Sequence, residues 1–426
     1  MLFLYKVITN ILYPILILYM YFRKLIKKEH SKRFKEKIYP SHFNVNKTEN
    51  SKLCWFHAVS IGELNSILPI IEEINTKYTN YEFLVTTTTL SSANLIDKRS
   101  KNLKNIQHRF FPIDVNFLVS KFLDSWKPNF IFFVDSEIWP NFTQQIKKRE
   151  IPLALINARI TAKSFKKWNF FPKTAKKIFS VIDLCLTANL ETKKYLEKFE
   201  VKNIYHHGNI KLLSKIDEKG FDTHNKEFLR NSRFWLAAST HRGEEQLCIN
   251  THIKIKETLK KIITVIAPRH IERTREIVSL CKNLNLNVQI LNDKDIIQDN
   301  MDIIIVNSFG VLNNFYKYAK SVFIGKSTLK KLKEVGGQNP IDAAKLGCKI
   351  YHGPYVYNFK EIYEILEKKN ISKKIDNIDE LSRNLINDLE FNQKENNISD
   401  FIDDLCQKTF LKTMKNIDKF LIDEIK

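Results

Sequence analysis

Residues 53–63 read Leu53-Cys54-Trp55-Phe56-His57-Ala58-Val59-Ser60-Ile61-Gly62-Glu63. The first seven are a continuous apolar, β-prone run, and the chain then passes through Ser60 and Gly62 into an amphipathic helical stretch. A strand apolar on both faces is one buried on both faces, and a helix that follows directly is the crossover of a parallel sheet. The pattern recurs along the chain. Further strands are predicted at Glu82–Thr87, Phe130–Asp135, Pro152–Asn157, Val181–Thr187 and Asn203–His207. A second series is predicted at Phe234–Ala238, Ile262–Ala267, Asn287–Leu291, Asp302–Val306, Ser321–Ile324 and Lys349–His352. Two series imply an α/β chain with two Rossmann-like, doubly wound domains facing a cleft, since ligands of such sheets sit at the carboxyl ends of the strands. The polar stretch Leu213–Asn231 marks the boundary. After about Glu361 the tail reads as helices, with a Lys- and Asn-rich linker near Lys368–Asn377.

Length and composition agree. A chain of 426 residues carries two domains plus appendages. With 43% hydrophobic and 12% aromatic residues it builds real cores and is not a disordered chain. The formal charge of +22 reflects abundant lysine, alongside Asn and Ile enrichment that points to nucleotide-composition bias. Six scattered cysteines (Cys54, Cys185, Cys248, Cys281, Cys348, Cys406) contain no C-x-x-C pair, which fits a reducing compartment and argues against a disulfide framework or zinc finger. The eleven histidines have no metal-ligand spacing, so neither a metal nor another cofactor is expected.

Residues 1–40 stand apart. Val7–Phe22 is uncharged and just short of a spanning helix, and Arg23, Lys24, Lys27, Lys28, Lys32, Arg33, Lys35 and Lys37 follow it. The first alanine is Ala58, so the small residues of a signal-peptide cleavage site are missing. A basic flank after the apolar run keeps the rest of the chain cytoplasmic, whether the segment spans the membrane or lies in its interface. The expected location is the cytoplasmic face of the plasma membrane. A buried core helix would explain the apolar run without explaining the flank.

Four constellations carry chemistry. In His57–Glu63, Gly62 is read as permitting a tight turn and Glu63 as standing at a helix N-terminus, either as a dipole partner or as a general base. Asp135-Ser136-Glu137-Ile138-Trp139-Pro140-Asn141 places Glu137 at another strand end, with Pro140 suited to a first helical turn. Pro268-Arg269 follows the strand Ile262–Ala267, where an arginine forks a phosphate. Gly336-Gly337-Gln338-Asn339-Pro340-Ile341-Asp342 precedes a predicted helix Pro340–Leu346; two glycines exposing backbone N–H groups beside a helix start form an anion site. Ten glycines are about a third of average usage, and all but Gly220 fall at or near predicted strand ends or helix starts. Gly325, Gly347 and Gly353 are read as turns. Other signatures fail. There is no G-x-G-x-x-G, Gly325-Lys326-Ser327 lacks the first glycine of a P-loop, and Asp293-Lys294-Asp295 sits in a polar stretch.

Taken in order, these motifs resemble the 3-deoxy-D-manno-octulosonic acid (Kdo) transferases, which add Kdo from CMP-Kdo to the lipid A precursor. The resemblance also runs through Thr86–Thr89, Ile156–Arg159, Gly208–Lys211, Ala238–Glu245 and Ala267–Arg273. It implies a GT-B fold, an inverting mechanism and no required metal. It implies Glu63 as the base that deprotonates the acceptor hydroxyl, with Glu137 and Lys211 stabilising the transition state. It implies CMP contacts from Pro268, Arg269, Phe309, Gly310, Val311, Gly337, Asn339, Pro340, Ile341 and Asp342. The domains are then a membrane anchor with basic flank (1–40), an acceptor-binding domain (41–215), and a CMP-sugar-binding domain with C-terminal helices (216–426). Partners are CMP-Kdo, the lipid A precursor and inner-membrane lipids, with no nucleic acid. The chain departs from the family at Asp342, where Glu is usual, at Gln338, where His is usual, and at Val311, where Glu is usual. Two rival readings are a membrane-associated GT-B enzyme using a UDP-sugar and a membrane-docked nucleic-acid binder.

Overall fold

A computed structural model describes residues 1–48, 50–99, 105–216, 220–390 and 397–423. The boundary stretch and the C-terminal domain of the sequence reading thus fall partly outside the described residues. The strands are β1 (Lys52–His57), β2 (Tyr81–Thr87), β3 (Ile106–Phe110), β4 (Phe130–Val134), β5 (Leu153–Ala158), β6 (Leu184–Thr187) and β7 (Ile204–His206). A second series comprises β8 (Phe234–Thr240), β9 (Ile263–Pro268), β10 (Val288–Leu291), β11 (Ile303–Val306), β12 (Ser321–Ile324), β13 (Lys349–His352) and β14 (Ser372–Lys374). They form two sheets, ordered β3-β2-β1-β4-β5-β6-β7 and β10-β11-β9-β8-β12-β13-β14. Each reverses winding once, between β1 and β4 and between β8 and β12, and these switch points open the crevice of a doubly wound sheet.

Alternate residues of β1 explain why that run has no polar face. Leu53 and Trp55 enter one core with Phe111, Phe122 and Phe142, while Cys54 and Phe56 enter another with Ile67, Phe83 and Phe132. Phe56 stacks on Phe132 at 4.4 Å. The second sheet buries Trp235, Ala237, Ile266 and Phe323 under the helix Glu244–Thr258 and its neighbours.

Two strands escaped the sequence reading. β3, Ile106-Gln107-His108-Arg109-Phe110, is an edge strand whose alternation of buried and half-buried residues hides it from a search for apolar runs. β14 is a three-residue edge strand inside the stretch read as a linker. Part of the boundary stretch is also ordered, since Asp222 caps the helix Thr223–Asn231 by accepting from the His224 N–H.

The chain divides into two compact units, residues 1–215 with 406–426, and residues 216–405. The last segment therefore belongs with the first unit and not with the domain the sequence reading gave it. Met414, Ile417, Phe420 and Leu421 pack into the core under β1, and the Phe420 ring lies 5.7 Å from Phe132.

The N-terminal apolar run is two helices, Leu2–Ile11 and Tyr13–Leu25, bent by 58° at Leu12. Among the described residues no single helix is long and apolar enough to cross a membrane. One side of the pair is fastened to the first unit. Tyr5 donates its hydroxyl to Asp114 (2.9 Å), Asn141 donates to the Thr9 hydroxyl (3.1 Å), and Met20 is buried with Phe34 and Ile38. The other side leaves Phe3, Ile11, Ile15, Leu18, Phe22 and Leu25 exposed.

Candidate functional site

In the first unit the sequence-predicted residues gather at the carboxyl ends of β1, β4 and β7. Glu63 stands in the first turn of the helix Ile61–Lys77, directly after β1. Ser60 caps that helix by accepting from the Glu63 N–H (3.3 Å). In return the carboxylate accepts from the Ser60 hydroxyl (2.7 Å) and the Val59 N–H (2.8 Å). This is a close variant of the capping box, reaching the N–H one residue before the cap, so the structural role of a carboxylate at that place is realised. Burial raises the proton affinity of Glu63 above the ordinary carboxylate range, Asp135 adds to the rise, and the Ser60 bond opposes it. A half-buried carboxylate shifted upward is suited to accept a proton.

Asp135 follows β4 with φ of 63°, a left-handed conformation uncommon for a residue other than glycine. Its backbone is fixed on both sides, by its N–H on Ile156 O (2.9 Å) and its carbonyl under the Arg159 N–H (3.2 Å). That pose turns its carboxylate to Lys211, whose Nζ lies 3.2 Å away. Lys211 is carried by the turn Ile210–Leu213 after β7, which Asn157 holds by accepting from the Ile210 N–H (3.0 Å). Two residues beyond Asp135, Glu137 accepts from the Trp139 indole N–H (2.7 Å) and stands 3.4 Å from His57 Nε2.

The second unit has its own gathering of predicted residues. Pro268 ends β9 and is buried, and Arg269 follows with an exposed guanidinium and its N–H on Thr240 O (3.0 Å). His241, next after β8, is half-buried; burial lowers its proton affinity, Glu244 opposes that, and the neighbouring Lys326, His270 and Arg269 lower it further. An electropositive cluster thus lies at the ends of β8, β9 and β12. Phe309 and Gly310 precede the helix Leu312–Tyr318, and Val311 is its N-cap. Asn339 accepts from the Ile341 N–H (3.0 Å), and burial pushes the Asp342 carboxyl upward.

Three local readings need correction. Gly62 makes no tight turn. It is the second residue of a helix, and a Cβ there would meet nothing within 4 Å. The Gly336-Gly337 pair does not present two open N–H groups, because Gly337 donates to Lys326 O (2.7 Å) and the helix that follows, Ile341–Lys345, has only five residues. The pair instead permits close backbone approach: a Cβ on Gly336 would stand 2.2 Å from Tyr355 O, and Gly337 adopts φ of 84°. Gly325 and Gly353 are likewise more than turns, since a Cβ would stand 2.6 Å from Ser239 O and 2.3 Å from Ser327 O, respectively.

The P-loop look-alike has a different explanation. The N–H groups of Lys326, Ser327 and Thr328 all donate to the buried Glu244 carboxylate, at 2.6, 2.8 and 3.0 Å. The protein fills that anion nest itself. Asp295 of the D-x-D segment accepts from its neighbour Asn292. Among the described residues no group of three or more His, Cys, Asp or Glu could hold a metal ion.

Comparison with known proteins supplies the family. The family described as 3-deoxy-D-manno-octulosonic-acid transferase matches residues 32–214. A 3-deoxy-D-manno-octulosonic acid transferase of Rickettsia bellii is 31% identical over 362 residues, covering 82% of each chain. The chain belongs to the 3-deoxy-D-manno-octulosonic acid transferase family. A Haemophilus influenzae transferase of the same description is 25% identical, covering 73% of each chain. As a Kdo transferase the chain is a glycosyltransferase, and the UDP-sugar and nucleic-acid readings are not favoured.

Solved structures agree on the fold alone. An Anabaena protein in complex with UDP and glucose superposes with TM-score 0.55 at 10% identity, over 87% of this chain and 100% of that one. A Rickettsia bellii UDP-N-acetylglucosamine 2-epimerase gives 0.51 at 12% identity, over 87% and 98%. The architecture is GT-B. Sequence reasoning about the candidate site of this Kdo transferase passed over Asp135, His57 and Glu244. All three stand inside quoted motifs, but their partners come from other strands and loops.

Proposed function

We propose that this Kdo transferase moves Kdo from CMP-Kdo to the lipid A precursor, with inversion, at the cytoplasmic face of the inner membrane. One observation carries the mechanism: Glu63, with raised proton affinity, stands at the β1/β4 switch point beside the Asp135–Lys211 pair. Glu63 takes the proton of the acceptor hydroxyl as that oxygen attacks the anomeric carbon of Kdo. The bond from that carbon to the phosphate oxygen breaks, and CMP leaves with the electron pair. Charge builds on the departing phosphate, so the cluster of Arg269, Lys326 and His241 suits the donor, with Pro268, Phe309–Val311, Gly337 and Asn339–Asp342 around the nucleotide. Glu137 and Lys211 act on the reacting sugar. No step needs a metal.

The N-terminal helices support docking in the interface, because their exposed side is apolar and their other side is bonded to the first unit. Part of the basic flank is structural. Arg23 and Lys37 pair with Glu29, and Arg33 pairs with Glu36. Lys24, Lys27, Lys28 and Lys32 are exposed and suit anionic headgroups, worth about 1 kcal/mol each near such a surface. On this reading residues 1–40 dock the enzyme, the first unit binds acceptor and the second binds donor. The test is incubation of purified enzyme with CMP-Kdo and a tetraacylated lipid A precursor, followed by mass spectrometry. A product heavier by one or more Kdo units is expected. Failure to modify that acceptor while CMP-Kdo is consumed on another would refute the acceptor.

A further inference from the structure

His57 is completely buried at the end of β1, and no step of the proposed transfer uses it. Its ring stacks on Phe111 at 3.6 Å and meets the edge of Phe133 at 5.8 Å. Nδ1 lies 3.1 Å from the Thr86 carbonyl and 3.0 Å from the Thr86 hydroxyl oxygen. Nε2 has no hydrogen-bond partner, yet it faces Glu137 Oε2 at 3.4 Å. A buried polar atom left in that state requires an explanation.

The surroundings assign the proton. A carbonyl only accepts, so Nδ1 carries a hydrogen and donates it to Thr86. The Thr86 hydroxyl does not compete for that place, because it points to Phe56 O and accepts from the Trp55 indole N–H (2.9 Å). With Nδ1 protonated, a neutral ring would turn the Nε2 lone pair toward a carboxylate oxygen, which is repulsive. The contact is favourable only with a second proton between Nε2 and Oε2.

We propose that His57 is a positioning residue for Glu137, with a proton on Nε2 holding the carboxylate oxygen Oε2 beside it by charge. With Oε2 taken by His57 and Trp139, Oε1 is left for the reacting sugar. The inference rests on the reading that Glu137 acts on that sugar. The rigid Phe111 stack and the Thr86 bonds make the imidazole a fixed post, which an exposed lysine could not be.

The experiment compares Kdo transfer by His57→Phe, His57→Gln, Glu137→Ala and the double variant His57→Phe/Glu137→Ala. Phenylalanine keeps the stack but has no donor. Loss of a bond to a charged group should lower kcat about 10–100-fold, with KM for CMP-Kdo nearly unchanged. Glutamine places an N–H close to the Nε2 position and should restore most of the loss. In the Glu137→Ala background His57→Phe should cost nothing further, whereas a merely structural histidine would cost the same in both backgrounds. Equal turnover in wild type and His57→Phe, alongside a strongly impaired Glu137→Ala, overturns the proposal and leaves the role of Glu137 standing. Wild-type turnover in Glu137→Ala removes the role of Glu137 instead. If His57→Phe does not fold, ring ¹⁵N spectra of selectively labelled wild type and Glu137→Gln decide. The His57 Nε2 resonance must move when Glu137 is replaced, and an unmoved resonance refutes the pairing of Nε2 with the carboxylate.

Discussion

Replacing Glu63 by glutamine separates the helix cap that this residue makes from the general base proposed for it. The carboxylate accepts from the hydroxyl of the helix-capping Ser60 at 2.7 Å and from the Val59 N–H at 2.8 Å. An amide can keep both bonds, with its oxygen on Val59 and its nitrogen on the Ser60 hydroxyl. The helix loses one negative charge from its first turn, a cost of about 0.3–1 kcal/mol. Against this, the carboxylate is held above its ordinary proton affinity chiefly by burial, so its charged form is itself unfavourable and the amide removes that term. The net effect on stability is within about 1 kcal/mol, a melting shift of only a few degrees in a unit of this size. Turnover behaves differently, because an amide cannot accept the hydroxyl proton, and loss of a general base costs about 10²–10⁴ in rate. Kdo transfer and melting temperature are measured on the same variant, with CMP binding by calorimetry as the control for the donor site. Turnover within a few-fold of wild type would refute the base and leave Glu137 as the next candidate. A companion variant tests the electrostatics. Asp135→Asn removes a like charge that raises Glu63, so the acid limb of the kcat profile should move to lower pH. An unmoved limb would detach that limb from Glu63.

Other consequences are equally accessible. Arg269→Ala should weaken CMP binding roughly tenfold to a hundredfold, the loss of one charge-assisted bond; an unchanged Kd in calorimetry would take Arg269 out of the donor site. Phe3→Glu with Leu18→Glu, both fully on the exposed side, should abolish flotation with anionic vesicles at unchanged melting temperature, and retained flotation would end the docking assignment. Wholesale deletion of residues 2–22 is a poorer test, because it also uncovers Asp114, Phe34 and Ile38. Burial pushes Asp114 up to about 6 from an ordinary 3.8 while it holds Tyr5 and the N–H groups of Asn141 and Phe142. Its folded value exceeds the unfolded one, so its contribution is fully present below about pH 4 and is lost as pH rises through about 6. Relative to Asp114→Asn, the wild type should therefore gain stability on acidification across that window, on the order of 2–3 kcal/mol. A difference independent of pH would contradict the shift.

The sequence by itself determined the fold class, because an apolar run such as Leu53–Val59 leading directly into a helix has few solutions other than a parallel strand covered on both faces. It also pointed to the loops proposed to carry chemistry, since Glu63, Glu137, Arg269 and Asn339 all lie in or beside loops that join a strand and a helix. It could not show β3, whose alternating edge residues carry no apolar run, nor that residues 406–426 complete the core under β1, since their partners are some 300 positions away in the chain. Only the tertiary structure decided what each loop does with its polar groups. Glu244 occupies the nest of Lys326–Thr328, Gly337 gives its N–H to Lys326, Asp135 takes Lys211, and His57 brings its Nε2 within 3.4 Å of Glu137. The physical reason is common to all of these. Hydrophobic periodicity is local and survives in one dimension, whereas hydrogen bonds and ion pairs are satisfied between strands that meet only once the sheet has formed.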